Sequence, residues 1–143
     1  MPQTIFVNLP VADLARSVAF YEAVGATRHP RFSDETATCM VFSESIHMML
    51  MTHAKFAEFC PRPIADARQM IQVLLCLSAA SRAEVNGKVE AAVAAGGKAD
   101  PSKIDEYEMM YGRSFEDPDG HLWGINWIDP ALTGSPQGAA AAA

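Results

Sequence analysis

Basic residues are few in this chain of 143 residues, with 11 Lys and Arg against 17 Asp and Glu and a formal net charge of −6. Binding to nucleic acid depends largely on neutralising phosphates with Lys and Arg, so this balance argues against a nucleic-acid partner. No apolar run is long enough to span a bilayer, and the first residues lack the basic start of a signal peptide. We therefore expect a cytoplasmic protein with no membrane partner.

Cysteine is also scarce. Cys39, Cys60 and Cys76 are odd in number and lack the C-x-x-C spacing of zinc sites, which argues against a disulfide framework and favours reduced, partly buried thiols. The chain contains no G-x-S-x-G elbow, no phosphate-binding loop of the G-x-x-x-x-G-K-S/T type and no G-x-G-x-x-G fingerprint. Hydrolase, nucleotide and dinucleotide chemistry therefore have no basis in the sequence.

What the chain does contain is a repeat. In each half, a strand is followed by a capped helix that ends at glycine. In the first half, residues 4–10 predict the strand and residues 14–24 the helix, with Asp13 as its N-cap. In the second half, residues 71–78 predict the strand, and Ser81 with Glu84 gives the capping-box signature of the next helix.

Material for about three short strands follows each helix. The first set falls within residues 27–51 and the second within residues 98–128, where Pro101 makes the first strand of the set weak. We predict one domain over residues 1–129. Its first module covers about residues 3–53, a connector covers 54–70, and the second module covers about 71–129. Residues 130–143, rich in Ala and Gly, are predicted to be disordered.

A βαβββ unit that occurs twice, the second time with Asp-Pro-Asp-Gly before the last strand, resembles the vicinal oxygen chelate superfamily. Lactoylglutathione lyase, bleomycin-resistance proteins and extradiol dioxygenases belong to that group. Residues 9–26 and 110–127 carry the resemblance. It implies an α+β fold of two tandem modules whose curled mixed sheets surround a shared cavity, with the helices outside. It also implies a homodimer.

Metal-dependent relatives hold a divalent ion with one side chain from the first and one from the last strand of each module. By this resemblance, the four positions in this chain are Phe6, Met49, Leu74 and Gly124. A hard or borderline divalent cation takes oxygen or nitrogen ligands, and these residues offer only one weak thioether. We therefore expect no metal cofactor, with a divalent metal as the alternative.

Strand alternation selects the remaining candidates. Trp123, Ile125 and Trp127 share one parity and should pack under the helices, which turns Gly124 and Asn126 toward the cavity. The same reasoning places His47 on the cavity side, and we predict it as the catalytic candidate. The predicted ligand-binding residues are Phe6, Asn8, Met49, Met51, Gln72, Leu74, Tyr111, Arg113, Gly124 and Asn126.

Structural roles compete with these functional ones. The amides of Asn8, Gln72 and Asn126 could pair with one another across the sheet. Arg113 could bind a carboxylate or phosphate group of a ligand, or it could form a salt bridge to Glu116 or Asp117. His121 opens the last strand on the parity of the tryptophans, and we interpret it as capping the turn or packing under a helix.

Three functional hypotheses follow. The first is a protein of the bleomycin-resistance type that has a degenerate metal site and binds a small organic molecule in an apolar cavity without metal. The alternative is a metal-dependent enzyme that resembles lactoylglutathione lyase or an extradiol dioxygenase. The third is metal-free acid–base catalysis by His47.

Overall fold

The computed structural model describes residues 2–133, which form two modules of βαβββ type. The elements of the first module are β1 (Ile5–Val11), α1 (Leu14–Ala23), β2 (Thr27–Ser33), β3 (Ala37–Ser43) and β4 (Ile46–Thr52). They form a four-stranded sheet in the order β1-β4-β3-β2, here called the first sheet, with β1 parallel to β4. The order leaves β1 with a free edge.

A short helix, α2 (His53–Ala57), begins the connector between the modules. The second module contains β5 (Leu75–Ser78), α3 (Arg82–Ala94), β6 (Lys98–Ala99), β7 (Asp105–Glu106), β8 (Met110–Glu116) and β9 (Leu122–Ile128). Its strands form the second sheet, in the order β5-β9-β8-β6, with β7 also paired to β8. The α+β class and the repeated module are therefore as predicted.

Local capping explains where the two long helices begin. The Asp13 side chain accepts a hydrogen bond from Arg16 N at 3.1 Å, and Ser81 Oγ accepts one from Glu84 N at 3.1 Å. α1 leads into Gly25, whose φ of 109° favours glycine. Lys88 of α3 donates to Val24 O at 2.9 Å, so the second helix also satisfies the end of the first.

The second module departs from the predicted strands in two places. The strand predicted at residues 71–78 begins only at Leu75, so residues 71–74 lie outside the ladder. The strand near Pro101 is broken into β6 and β7, because proline cannot donate to a ladder and Asp100 adopts a φ of 54°. Within the predicted disordered tail, Pro130–Thr133 form a short helix, α4. Residues 134–143 lie outside the described residues.

One core joins the modules. From α1, the ring of Phe20 lies 6.0 Å from that of Phe115, and the ring of Tyr21 lies 5.9 Å from that of Trp123, measured between centroids. Phe115 and Trp123 belong to the second sheet. Val85, Val89 and Ala92 of α3 are buried in the same cluster. Each sheet thus packs one face on helices and leaves the other, here called its open face, turned away from the core. No helix within residues 2–133 is long and apolar enough to cross a membrane.

Candidate ligand-binding site

A cavity of about 280 Å³ lies where the two modules meet; we call it the junction cavity. One wall is the edge of β1, the opposite wall is the segment that enters β5, and the connector passes over both. Its apolar lining includes Val7, Leu9, Phe56, Ile64, Ile71 and Leu122, and its polar lining is Asn8, Gln72 and His121. Of the predicted ligand-binding residues, Asn8 and Gln72 therefore lie in one cavity, although they are 64 positions apart in the sequence.

The edge of β1 is capped at its carboxyl end. The Pro10 carbonyl accepts a hydrogen bond from His121 Nε2 at 2.7 Å, and Ala12 N donates to Asp119 Oδ1 at 2.9 Å. Because the carbonyl of Pro10 points outward and main-chain groups alternate in direction along a strand, the N–H and C=O of Asn8 point outward as well. Within the described residues β1 pairs only with β4, so these two groups face the cavity without a strand partner.

The connector rests on the turn formed by Asp117-Pro118-Asp119-Gly120. A guanidinium N–H of Arg68 donates to the Pro118 carbonyl, and Asp66 Oδ1 accepts from Arg68 N at 3.0 Å. Gly120 has a φ of 95°, and a Cβ built there would lie 2.9 Å from Arg68 Cγ. Glycine at this position therefore lets the connector lie directly on the turn and cover the junction cavity.

The same turn fastens the second module to α1 through buried polar groups. We call Ser17, Tyr21, Asp117, Asp119 and Trp123 the clasp. Tyr21 Oη donates to Asp117 Oδ2 at 2.6 Å and accepts from Trp123 Nε1 at 2.9 Å, while Ser17 Oγ donates to Asp119 Oδ2 at 3.3 Å. The segments that carried the family resemblance in sequence are thus the ones that join the modules.

Burial changes the proton affinities within the clasp. The pKa of Asp117 is raised by loss of solvation, against the opposing effects of His121 and of the hydrogen bond from Tyr21. Burial, followed by the charge of Asp117, raises the pKa of Tyr21 well above its ordinary value. Tyr21 therefore keeps its proton and remains the donor in the bond to Asp117.

The junction cavity and the clasp differ in charge, because the clasp contains Asp117 and Asp119. Among its lining residues in the described part of the chain, none is Lys, Arg, Asp or Glu. An ion entering such a site would lose its hydration without gaining a countercharge, which is costly. The cavity therefore suits an uncharged ligand with a small number of hydrogen-bonding groups.

The open face of the second sheet holds a second, smaller cavity of about 180 Å³, which contains Leu74, Gly124 and Asn126. Two glycines, Gly112 and Gly124, leave the space for this cavity because they have no side chains. A Cβ at Gly124 would lie 2.7 Å from Cys76 Sγ, and one at Gly112 would collide with Asn126 Oδ1. The placement of Gly124 and Asn126 on this face, opposite Trp123 and Ile125, agrees with the predicted parity.

The open face of the first sheet carries His47, Phe6, Met49 and Met51. The rings of Phe6 and His47 meet edge to face with centroids 4.9 Å apart. His47 Nδ1 is buried, and no described residue forms a hydrogen bond with it. Phe6 is 53% exposed, whereas Met51 is 8% exposed. The predicted site residues are therefore distributed over two open faces and the junction cavity between the modules.

Tyr111 and Arg113 require a correction. Both share the parity of Phe115, so their side chains extend toward α3, where Tyr111 Oη and Arg113 Nη1 each donate to Asn86 Oδ1, at 2.7 and 2.9 Å. Arg113 borders the second cavity, but its guanidinium forms a two-bond ion pair with Asp100 at 2.6 and 2.9 Å. This hydrogen-bonded pair lowers the pKa of Asp100. The predicted alternative, a salt bridge from Arg113 to Glu116 or Asp117, is also wrong, since Arg113 pairs with neither.

The residues at the family's metal positions do not fit a metal. Phe6 and Met49 lie on the open face of the first sheet and Leu74 and Gly124 on that of the second, and none provides an oxygen or nitrogen side-chain donor. Within residues 2–133, no three His, Cys, Asp or Glu side chains are grouped so that they could hold a metal ion.

Sequence reasoning missed the connector side of the site and the role of His121. Ile64, Ala67 and Met70 line the junction cavity, but they lie in a segment without periodicity, so no pattern indicated where they point. His121 was interpreted as capping the turn or packing under a helix. Its ring instead reaches β1 and borders the cavity, a contact between residues 111 positions apart.

Comparison with known proteins agrees with this geometry. The family model of the bleomycin resistance protein-like N-terminal region matches residues 3–43. A hypothetical protein, SA1046, from S. aureus has a similar structure, with a TM-score of 0.71, 23% identity, and coverage of 90% of this chain and 94% of that one. A glyoxalase-related enzyme from Fulvimarina pelagi superposes with a TM-score of 0.72 and 23% identity, over 89% of this chain and 88% of that one.

A fosfomycin resistance protein, FosX, from Mesorhizobium loti has a TM-score of 0.66 and 12% identity, covering 94% of this chain and 99% of that one. No curated protein matches the sequence. The chain therefore has the fold of the vicinal oxygen chelate superfamily, which confirms the resemblance seen in the sequence. Within that fold, the match to the family model covers β1, α1, β2 and β3 of the first module.

Proposed function

We propose that this protein binds a small, neutral, largely apolar organic molecule in the junction cavity without metal. The observation that carries the proposal is the lining of that cavity, where apolar side chains surround Asn8, Gln72 and His121 and no lining residue within residues 2–133 is charged. A concave, mostly apolar site with a few convergent polar groups is the usual form of a small-molecule site.

The metal-dependent alternative is an enzyme similar to lactoylglutathione lyase or an extradiol dioxygenase. It would require His or carboxylate ligands at positions where this chain has Phe6, Met49, Leu74 and Gly124. Acid–base catalysis by His47 is a separate candidate, favoured by its buried Nδ1, which no described residue satisfies. Loss of turnover in His47→Ala with binding retained would support that candidate.

We also propose that the protein is a homodimer. Seven of the exposed apolar residues in the single chain are Ile5, Phe6, Met70, Ile71, Val73, Leu74 and Ile104. Met70, Ile71 and Val73 line the junction cavity, and Leu74 lines the second cavity. Full burial of one such side chain contributes about 1.5–3 kcal/mol, which at about 25 cal/mol per Å² corresponds to roughly 60–120 Å² of apolar surface. These seven side chains are 41–66% exposed. Their combined exposed surface approaches the apolar area that one partner contributes to a standard interface, roughly 450 Å².

The cytoplasmic location likewise stays a proposal. It is supported by the cysteines: Cys39, Cys60 and Cys76 all lie in the described part of the chain, and each is a free thiol.

The first experiment measures metal content and thermal stability of the purified protein with and without Zn²⁺, Ni²⁺, Mn²⁺ and Fe²⁺. We expect no stoichiometric metal and no rise in Tm, because the family's four ligand positions lack donors. Stoichiometric metal with a raised Tm would overturn the metal-free proposal and direct attention to His47, His53, His121 and Glu116.

A matched pair of fluorescent probes tests the cavity itself. N-phenyl-1-naphthylamine is neutral, and its analogue 8-anilino-1-naphthalenesulfonate carries a negative charge. We expect the neutral probe to bind at least tenfold more tightly. Ala67→Phe, which fills the junction cavity, should abolish binding, while Cys76→Phe in the second cavity should not. Equal binding of both probes, or loss only in Cys76→Phe, would contradict the proposed site.

A further inference from the structure

The edge of β1 offers the junction cavity a main-chain hydrogen-bonding pair that no residue of the described chain uses. The carbonyl of Pro10 accepts a hydrogen bond from His121, and Ala12 N donates one to Asp119. Pro10 itself has no N–H. The outward groups of Asn8, one donor and one acceptor, are therefore the last ones on this edge before the cap, and Asn8 lines the cavity.

Two side-chain amides accompany this pair. Asn8 and Gln72 lie on opposite walls, and within residues 2–133 neither side chain has a hydrogen bond to another residue. The alternative in which the amides pair with each other is therefore not adopted in this structure. An amide group carries both a donor and an acceptor, so the cavity presents matched donors and acceptors on two sides.

The chemistry of the site discriminates between polar groups that a ligand could bring. A carboxylate or ammonium group would meet no countercharge among the lining residues. An ester or a ketone would accept from Asn8 N–H but leave its carbonyl without a donor. A neutral amide satisfies both groups at once when its N–H and C=O lie on the same side, as they do in a lactam or a primary carboxamide.

We propose, resting on the function proposed above, that the ligand is a neutral apolar lactam or primary carboxamide whose amide pairs with the main-chain N–H and C=O of Asn8. The cap at Pro10 and Ala12 closes this edge immediately beyond Asn8. Gln72 positions the ligand from the opposite wall.

Dihydroisocarbostyril, a lactam, and dihydroisocoumarin, the corresponding lactone, provide the test, because they have nearly the same shape and differ in the amide N–H. Calorimetric or NMR titration is expected to show the lactam binding at least tenfold more tightly, since the lactone leaves the Asn8 carbonyl unpaired. The Asn8 amide resonance should shift on binding of the lactam. Equal affinity for the two compounds would overturn the proposal.

Substitutions at position 8 distinguish the contribution of the main-chain N–H to binding from that of the Asn8 side chain. Proline is tolerated on an edge strand when its missing N–H points away from the ladder, as the N–H of Asn8 does. Asn8→Pro should weaken binding of the lactam at least tenfold more than Asn8→Ala does, and Asn8→Ala should keep the preference for the lactam over the lactone. The NMR shift in the unsubstituted protein decides the question if Asn8→Pro fails to fold.

The two proposals fail in different ways. If N-phenyl-1-naphthylamine binds in the junction cavity but the protein shows no preference for the lactam over the lactone, the amide-recognition proposal is wrong and the neutral-ligand function remains. If no neutral probe binds, the proposed function itself is wrong.

Discussion

At the scale of single residues, Tyr21 makes both polar and aromatic contacts between the modules. Its hydroxyl bonds to Asp117 and Trp123, and its ring lies edge-on to those of Phe20 and Trp123. Buried polar groups are costly when they lose a partner, more so in a region from which solvent is excluded. The tyrosine in the first resemblance segment is therefore explained by a structural role, with no need for a catalytic one.

Tyr21→Phe should lower the free energy of unfolding by about 1–3 kcal/mol, because Asp117 Oδ2 and Trp123 Nε1 each lose a partner in a buried site. Chemical denaturation measures this change. Tyr107→Phe is the matched control, since Tyr107 is 58% exposed and the same change there should stay within about 0.5 kcal/mol. Equal effects of the two substitutions would mean that the clasp contributes no net stability.

At the scale of elements, the starts and ends of the helices were predictable and the second module's strands were not. Asp13, Ser81 and Gly25 act on groups within a few positions of themselves, so their roles can be inferred from the sequence alone. Residues 71–74 alternate like a strand, but a strand requires a neighbour to pair with. Only Leu75–Ser78 lie against β9.

The contact between the connector and the turn gives a prediction at this scale. Gly120→Ala should destabilise the protein by roughly 1–3 kcal/mol, because the positive φ disfavours a side chain and the Cβ would press on Arg68. It should also weaken binding of N-phenyl-1-naphthylamine, because the connector covers the cavity. Gly87→Ala in α3 is the control.

Gly87 has nothing within 4 Å of an added Cβ and lies inside a helix, so alanine there should stabilise by about 0.5–1 kcal/mol. Thermal and chemical unfolding of the two variants should therefore change in opposite directions. A stability of Gly120→Ala equal to that of the unsubstituted protein would show that the connector does not depend on this glycine.

At the scale of the whole molecule, the helices and one face of each sheet share a single core, while apolar side chains on the open faces, such as Phe6 and Leu74, remain more than half exposed in the single chain. Exposed apolar patches of several hundred Å² are unusual on monomers and often mark an interface. A second copy is the occupant proposed for this surface.

Sedimentation equilibrium at micromolar concentration should therefore give twice the mass of the chain. Leu74→Glu should shift the equilibrium toward monomer without unfolding the protein, since Leu74 is 66% exposed in the single chain and a charge there is unfavourable only in an interface. Val93→Glu, at an exposed position on α3, should leave the mass unchanged. A monomer before substitution would sink the dimer proposal.

The sequence by itself determined the repeat, the α+β class and the parity of β9, because periodicity is a local property. Only the tertiary structure decided that Asn8 and Gln72 share a cavity, that His121 caps β1, and that Arg113 turns toward Asp100 and Asn86. These outcomes depend on contacts such as that of Ala12 with Asp119, which lie 107 positions apart. Local patterns do not record which distant surfaces will meet when both modules bury their apolar faces in one core.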